Sequence, residues 1–359
     1  MSDIPICHII GGGLSGVACA YFLKKYYPDF HSTIYEAKEY IGGRSCSYFD
    51  DEWNMHINNA AHMVLSSDKF MKNFVHEEEW CDKVLFFDME TLGGNITLND
   101  NMDIICRKIC NTAYDDISFK VKSRVLRNFK SNHFMHPKFY AFNCDLTQRV
   151  INVLASYADE IHCSCKLTKV MSRKGHAHTL CFGNRSVRVR PCDRVIFALD
   201  NVSAVPFLKI PSLEYNNSVN ISYYTSQTIF LPHGASFVGV KGGVVDWISI
   251  SPNVVSAQIC NYENNFTTFD KLALYVWSEI SRIRGVNSAF MPSYRIEVNR
   301  YASVKMDGIN NSLRPNNAKT IYDNIFMCGD WTMKNYPCTL EAAALSGERA
   351  VRTMLKFLK

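Results

Sequence analysis

Six residues near the N-terminus, Gly11-Gly12-Gly13-Leu14-Ser15-Gly16, constrain this chain more than any others. They fit the pattern G-x-G-x-x-G. Before them stands an apolar run, Ile6 to Ile10; after them Leu14, Val17, Ala18, Tyr21 and Phe22 recur at three- and four-residue steps. The run reads as a buried parallel strand, and the periodic segment as a helix that Pro28 stops. Gly11 permits a tight turn, Gly13 removes a side chain where backbone would meet a pyrophosphate, and Gly16 lets helix and strand pack closely. The helix N-terminus, with Leu14 and Ser15 in its first turn, offers free N–H groups and a positive dipole end to phosphate. A second β-rich run, Ser32 to Tyr35, ends in Glu36, 20 residues after Gly16. A carboxylate there can accept hydrogen bonds from adenosine ribose hydroxyls. Strand, glycine turn, helix and strand make a βαβ unit, which NAD and FAD fit equally well.

The 359 residues suffice for two lobes with sizeable cores. A net charge of +5 without a Lys/Arg tract gives no nucleic-acid footprint. The 14 cysteines include no Cys-x-x-Cys pair and have no histidine at zinc-ligand spacing. They read as reduced thiols of a cytoplasmic protein, and no metal is expected. His176-Ala177-His178 lacks a third ligand. Ile4 to Leu23 is apolar enough to suggest a membrane anchor, but three adjacent glycines interrupt it and its positive charges follow it. No other run approaches the roughly 20 residues that span a bilayer. A soluble protein, or one peripheral at the inner membrane surface, is expected. Lys120, Lys122, Arg124, Arg127 and Lys130, interleaved with apolar residues, would supply a basic amphipathic surface for lipid headgroups or a solvated helix face.

Further along, Leu146 to Tyr157 reads as a helix and Glu160 to Phe182 as a hairpin around Lys174-Gly175. Arg194 to Leu199 reads as a buried strand. Thr228 to Leu231 and Phe237 to Val240 are short β-rich runs, and Phe269 to Arg284 is an amphipathic helix. Asn324 to Cys328 is a last buried strand, followed by Gly329-Asp330 and a helix from about Leu340. Gly42-Gly43-Arg44 is a turn where backbone can approach a ligand and Arg44 can neutralise diphosphate charge.

The two ends of the chain carry a resemblance. Ile34-Tyr35-Glu36-Ala37 with Ile41-Gly42-Gly43-Arg44 is similar to the opening of the flavin-containing amine oxidases and phytoene desaturases. Asn324 to Thr332 and Pro337 to Gly347 resemble the closing segment of the same superfamily, and within it Pro337-Cys338-Thr339-Leu340-Glu341 is most similar to the hydroxysqualene dehydroxylases, the squalene-associated FAD-dependent desaturases. The likeness covers about the first 65 and last 50 residues well.

The resemblance implies an α/β fold: a Rossmann-type FAD-binding lobe with a second, smaller mixed α+β substrate lobe. The FAD-binding domain would comprise 1–65, 150–200 and 315–359, and the substrate domain 66–149 and 201–314. The cofactor would be FAD, held by Gly11, Gly13, Leu14, Ser15, Gly16, Glu36, Ala37, Gly43, Arg44, Gly329, Asp330, Thr339 and Leu340, with a backbone contact to adenine near Leu167. Asp330 would bond the ribityl or diphosphate region. The helix from Leu340 would turn its dipole toward the flavin ring. Ser346 and Gly347 would keep that helix slim against the first βαβ unit.

The expected reaction is hydride transfer through the flavin, to or from a carbon of an apolar, isoprenoid-like small molecule in an apolar tunnel, of the desaturase or dehydroxylase type. Flavin chemistry needs little beyond orientation and exclusion of water, so no catalytic triad is expected. His62, Trp331 and Thr339 are the catalytic candidates. Thr339 stands where the amine oxidases place a cage aromatic. Ala342 and Ala60 stand where the family has glycine, which requires φ below zero at both. The rivals are an amine or other small-molecule oxidase, a flavin-binding protein without turnover, and an NAD-only dehydrogenase.

Overall fold

A computed structural model describes residues 4–81, 84–95, 101–130, 138–142, 145–226, 229–262, 266–286 and 290–357. The chain divides into two compact units, the first formed by Met1–Ser47, Asp145–Leu213 and Asn311–Lys359, the second by Tyr48–Cys144 and Glu214–Asn310. The second unit, expected to be the smaller, covers more of the chain than the first.

The first unit is built on a five-stranded sheet in the order Ile325–Met327, Arg194–Phe197, Ile6–Ile10, His31–Tyr35 and Glu160–His162. All four pairings are parallel. Cys7 to Ile10 are buried at consecutive positions, as a parallel strand covered on both faces requires. The opening helix Leu14–Tyr26 packs on the closing helix Leu340–Leu355 through small residues. A Cβ on Gly347 would lie 2.7 Å from the Ser15 carbonyl oxygen, so glycine sets the separation of the two helices. The expected helix after Leu146 runs from Thr147 to Ala155, its first part wound as a π-helix. The expected hairpin is shorter than Glu160 to Phe182: Glu160–His162 joins the parallel sheet, and Lys169–Arg173 pairs with His176–Phe182, turning at Lys174-Gly175. His176 bonds Asp323 and Asn324, and His178 bonds Thr179.

The second unit carries a seven-stranded sheet in the order Tyr294–Val304, Tyr215–Tyr224, Val254–Cys260, Trp247–Ser251, Phe237–Lys241, Val84–Asp88 and Gly93–Asn95. Alternation decides its two faces. Val219, Ile221 and Tyr223 point into a core with Val238, Ile248, Val255 and Ala257, against Leu272, Val276 and Ile280 of the helix Phe269–Arg284. Thr268 caps that helix by accepting the Lys271 N–H, and Gly285 ends it at φ 66°. The intervening Ser218, Asn220 and Ser222 are polar and nonetheless buried. The expected strand at Thr228 to Leu231 is corrected: Ile229 to Leu231 carry no ladder, because Pro232 and a left-handed His233 turn the chain before Phe237. Thr228 lies outside the described residues. The basic segment forms the helix Phe119–Lys130, which buries Val121 and Val125 and leaves Phe119 82% exposed. Among the described residues, no helix is long and apolar enough to cross a membrane.

Candidate dinucleotide site

The glycine turn is shaped by close backbone contacts. Gly11 has φ 110°, and a Cβ on it would sit 2.5 Å from the Ala198 carbonyl oxygen. A Cβ on Gly16 would sit 2.0 Å from the Gly11 carbonyl oxygen. These two glycines are therefore demanded by the protein itself. Gly13 is different: its Cβ would meet nothing closer than Gly42 O and Gly43 Cα, both at 4.0 Å. The protein leaves that space open beside the N-terminus of the opening helix, where Gly13 is the cap residue. A diphosphate fits such a cradle, because backbone N–H groups and the helix dipole both favour an anion there.

Gly42 and Gly43 approach this loop rather than open solvent. The Gly42 N–H donates to the Gly12 carbonyl at 2.9 Å, and Gly13 and Gly42 form a parallel bridge. Gly43, at φ 61°, would place a Cβ 3.2 Å from Gly13 Cα. The second glycine turn thus forms a wall of the first.

Glu36 is buried at the end of its strand. Its Oε2 accepts the Gly12 N–H at 2.7 Å and its Oε1 accepts the Lys38 N–H at 2.9 Å. A carboxylate has about four acceptor sites, so capacity for hydroxyl donors remains. The Glu36 carbonyl accepts the Cys165 N–H at 2.7 Å, and the Lys38 carbonyl accepts the Ser164 N–H. These bonds lay the segment that carries the buried Leu167 along the end of the Glu36 strand.

The closing strand delivers Gly329 and Asp330 to the same unit. Arg44 Nη2 donates to Asp330 Oδ1 at 2.7 Å, and that oxygen also accepts the Trp331 N–H. Gly329 has φ 133°, and its N–H donates to Ser346 Oγ at 2.9 Å. Ser346 therefore ties the closing strand to the closing helix as well as keeping that helix slim. Trp331 is 1% exposed and its indole N–H donates to the Leu199 carbonyl, which fixes it in the core of the unit. Thr339 caps the closing helix, its Oγ1 accepting the Ala342 N–H at 3.2 Å, and Leu340 is buried in the first turn. Neither Ala342 nor Ala60 has a positive φ, so alanine is accommodated at both. His62 belongs to the second unit, where its Nε2 lies 3.1 Å from Asn59 Oδ1.

Arg314 organises the loop after the closing strand, a role sequence reasoning missed. It is 1% exposed and donates to the carbonyls of Asp330, Trp331, Met333 and Tyr336 at 2.7–2.9 Å. Which carbonyls it gathers depends on the folded loop. Every described cysteine is a free thiol. Burial pushes Cys7 and Cys19 well above the usual thiol range, so both stay protonated.

A parallel sheet, a glycine turn opening onto a helix N-terminus and a carboxylate closing the next strand define a Rossmann-type dinucleotide-binding protein. The pattern of the NAD(P)-binding Rossmann-like domain matches residues 9–77, and that of the flavin containing amine oxidoreductases matches residues 145–355. The chain belongs to the flavin containing amine oxidoreductase family and is an FAD-dependent oxidoreductase. It is 26% identical to a hydroxysqualene dehydroxylase of Sinorhizobium fredii, covering 96% of each chain. It is 24% identical to one of Rhodopseudomonas palustris, covering 97% of this chain and 98% of that one. An oxidoreductase of Methanosarcina mazei shares the fold at TM-score 0.71 and 13% identity, over 98% of this chain and 100% of that one. Reduced UDP-galactopyranose mutase does so at TM-score 0.68 and 12% identity, over 98% of this chain and 94% of that one.

Proposed function

We propose that this enzyme acts on an apolar, isoprenoid-like substrate, as a desaturase or dehydroxylase does. The observation that carries the reading is the end-to-end match to relatives named hydroxysqualene dehydroxylase, joined to the closing sequence Pro337–Glu341. FAD supplies two-electron redox chemistry when bound. The residues of the first unit hold and orient it. The backbone of Gly11–Gly16 and the first turn at Leu14 and Ser15 would take the diphosphate, with Gly43 and Arg44 beside them. Glu36 and Ala37 would take the adenosine ribose, and the backbone at Leu167 the adenine. Gly329 and Asp330 would take the ribityl end. The helix capped by Thr339 would turn its positive dipole end to the ring, where it favours negative charge. On this reading the first unit is the FAD-binding domain and the second the substrate domain. The basic helix Phe119–Lys130, with Phe119 exposed, would bring the protein to an anionic membrane surface that stores such substrates.

The test is turnover. Holoprotein with its flavin chemically reduced is incubated anaerobically with hydroxylated polyisoprenoids, and the products are identified by mass spectrometry. Loss of the hydroxyl supports the reading. Absence of any isoprenoid product, together with peroxide formation from an amine panel, would replace it with the amine oxidase alternative.

A further inference from the structure

We propose that the second unit contains an oxygen-binding pocket in which Trp247 and Lys108 donate hydrogen bonds to the hydroxyl oxygen of an otherwise apolar ligand. The pocket lies on the polar face of the seven-stranded sheet. Strand register places Asn220, Gln258, Trp247 and Gly239 in one row across that face. The row two residues along holds Ser222, Ser256 and Ser249. These polar side chains are shielded from water beside the buried rings of Phe86, Phe237 and Trp247 on the same face.

Two donors stand out in that row. Trp247 is 3% exposed, and its indole nitrogen has no hydrogen-bond partner. A buried N–H without an acceptor is costly and rare in folded proteins, so an acceptor from outside the chain is called for. Lys108 arrives on the helix Met102–Cys110, which crosses the sheet at Gly239, where a Cβ would lie 2.9 Å from Ile104 Cγ2. Its ammonium donates to the Ala61 carbonyl and to Gln258 Oε1. An ammonium has three donors, so one remains. Burial pushes Lys108 down to about 8, as expected of a cation in apolar surroundings.

Lys108, Trp247 and Ser249 line one small cavity together with Met63, Ala141 and Phe237. Its polar rim consists of groups that can all donate, while its other walls are apolar. The space admits about one water-sized group. It is sized for a single oxygen atom. A hydroxyl accepts from both donors without bringing a charge that the apolar walls would penalise.

This inference rests on the isoprenoid reading and adds to it that the oxygen is recognised in the second unit. The probes are hexahydrofarnesol and farnesane, which differ only in the hydroxyl, bound to holoprotein and measured by equilibrium dialysis. Wild type should bind hexahydrofarnesol about tenfold more tightly, the equivalent of one net hydrogen bond. Trp247→Phe and Lys108→Met should each remove most of that preference and leave farnesane binding unchanged, and Lys108→Arg should restore part of it. Unchanged farnesane binding and flavin content in the variants certify their fold. Equal binding of the two probes by wild type means the pocket holds only a structural water and overturns the inference while the isoprenoid reading stands. A preference that survives in both variants does the same. Binding of neither probe by wild type overturns the inference and the reading together.

Discussion

Arg44 Nη2 lies 2.7 Å from Asp330 Oδ1, an ion pair between residues 286 positions apart that joins the turn after Glu36 to the loop after the closing strand. The Arg44 side chain is 39% exposed and that of Asp330 only 7%. A pair so placed contributes about 1 kcal/mol to stability at most. Arg44→Ala should therefore shift the apoprotein's denaturation midpoint only slightly. If Arg44 also faces the diphosphate, the same variant should weaken FAD retention about tenfold. An FAD titration equal to wild type would confine Arg44 to the ion pair.

Gly13 and Gly16 should respond oppositely to a side chain. A Cβ at Gly16 collides with the Gly11 carbonyl at 2.0 Å, so Gly16→Ala should destabilise the unit with or without cofactor. A Cβ at Gly13 meets only Gly42 O and Gly43 Cα, both at an unstrained 4.0 Å, and its φ of −72° suits any residue. Gly13→Trp should fold as apoprotein and lack the yellow chromophore. Full flavin occupancy in that variant would remove Gly13 from the phosphate path.

Glu36 accepts hydrogen bonds from two backbone N–H groups of the protein itself. Glu36→Ala should lower apoprotein stability by roughly 1–2 kcal/mol and FAD affinity by a further 10- to 100-fold, the range of one charge-assisted hydrogen bond. Isothermal titration of apoprotein reads the second effect separately from the first. A loss of stability with unchanged affinity would make Glu36 a brace for the glycine turn alone.

Arg314→Met should be among the most damaging single changes in the first unit. It strips the partner from four loop carbonyls at once, for a loss of about 3 kcal/mol or more. Lysine at this position should recover only part, since one ammonium cannot span the carbonyls that a guanidinium fork reaches. Urea melts of both variants test the ranking.

Asp193 gives the fold a dependence on acid. Burial by itself would raise its carboxyl, but His8, Arg190 and the N–H groups of Ile6 and Arg190 hold it well below the usual range. A depressed carboxyl contributes fully above the unfolded value near pH 4, and the contribution is lost as pH falls through the lower native value. The stability gap between wild type and Asp193→Asn should thus be widest at pH 5 and above and narrow by pH 3. A gap that stays constant between those two values would show that the native carboxyl titrates as it does in the unfolded chain and is not held down by its partners.

The local signals in the sequence determined what local physics can determine. The glycine spacing, the apolar run at Ile6–Ile10 and the periodicity of the opening and closing helices each report backbone geometry within a few residues. The strand at Arg194 and the helix Phe269–Arg284 were legible for the same reason. Glu36 was legible because its distance from Gly16 is set by one helix and one strand. The expected strand before Pro232 failed because β propensity does not reveal that the chain turns without a partner. Only tertiary structure decided which glycines are required by the protein and which leave space for a ligand. It alone gathered four carbonyls on Arg314 and set Lys108 beside Gln258, a hydrogen bond spanning 150 positions. Those relations depend on register and packing between segments far apart in the chain, and no residue pattern within a single segment encodes them.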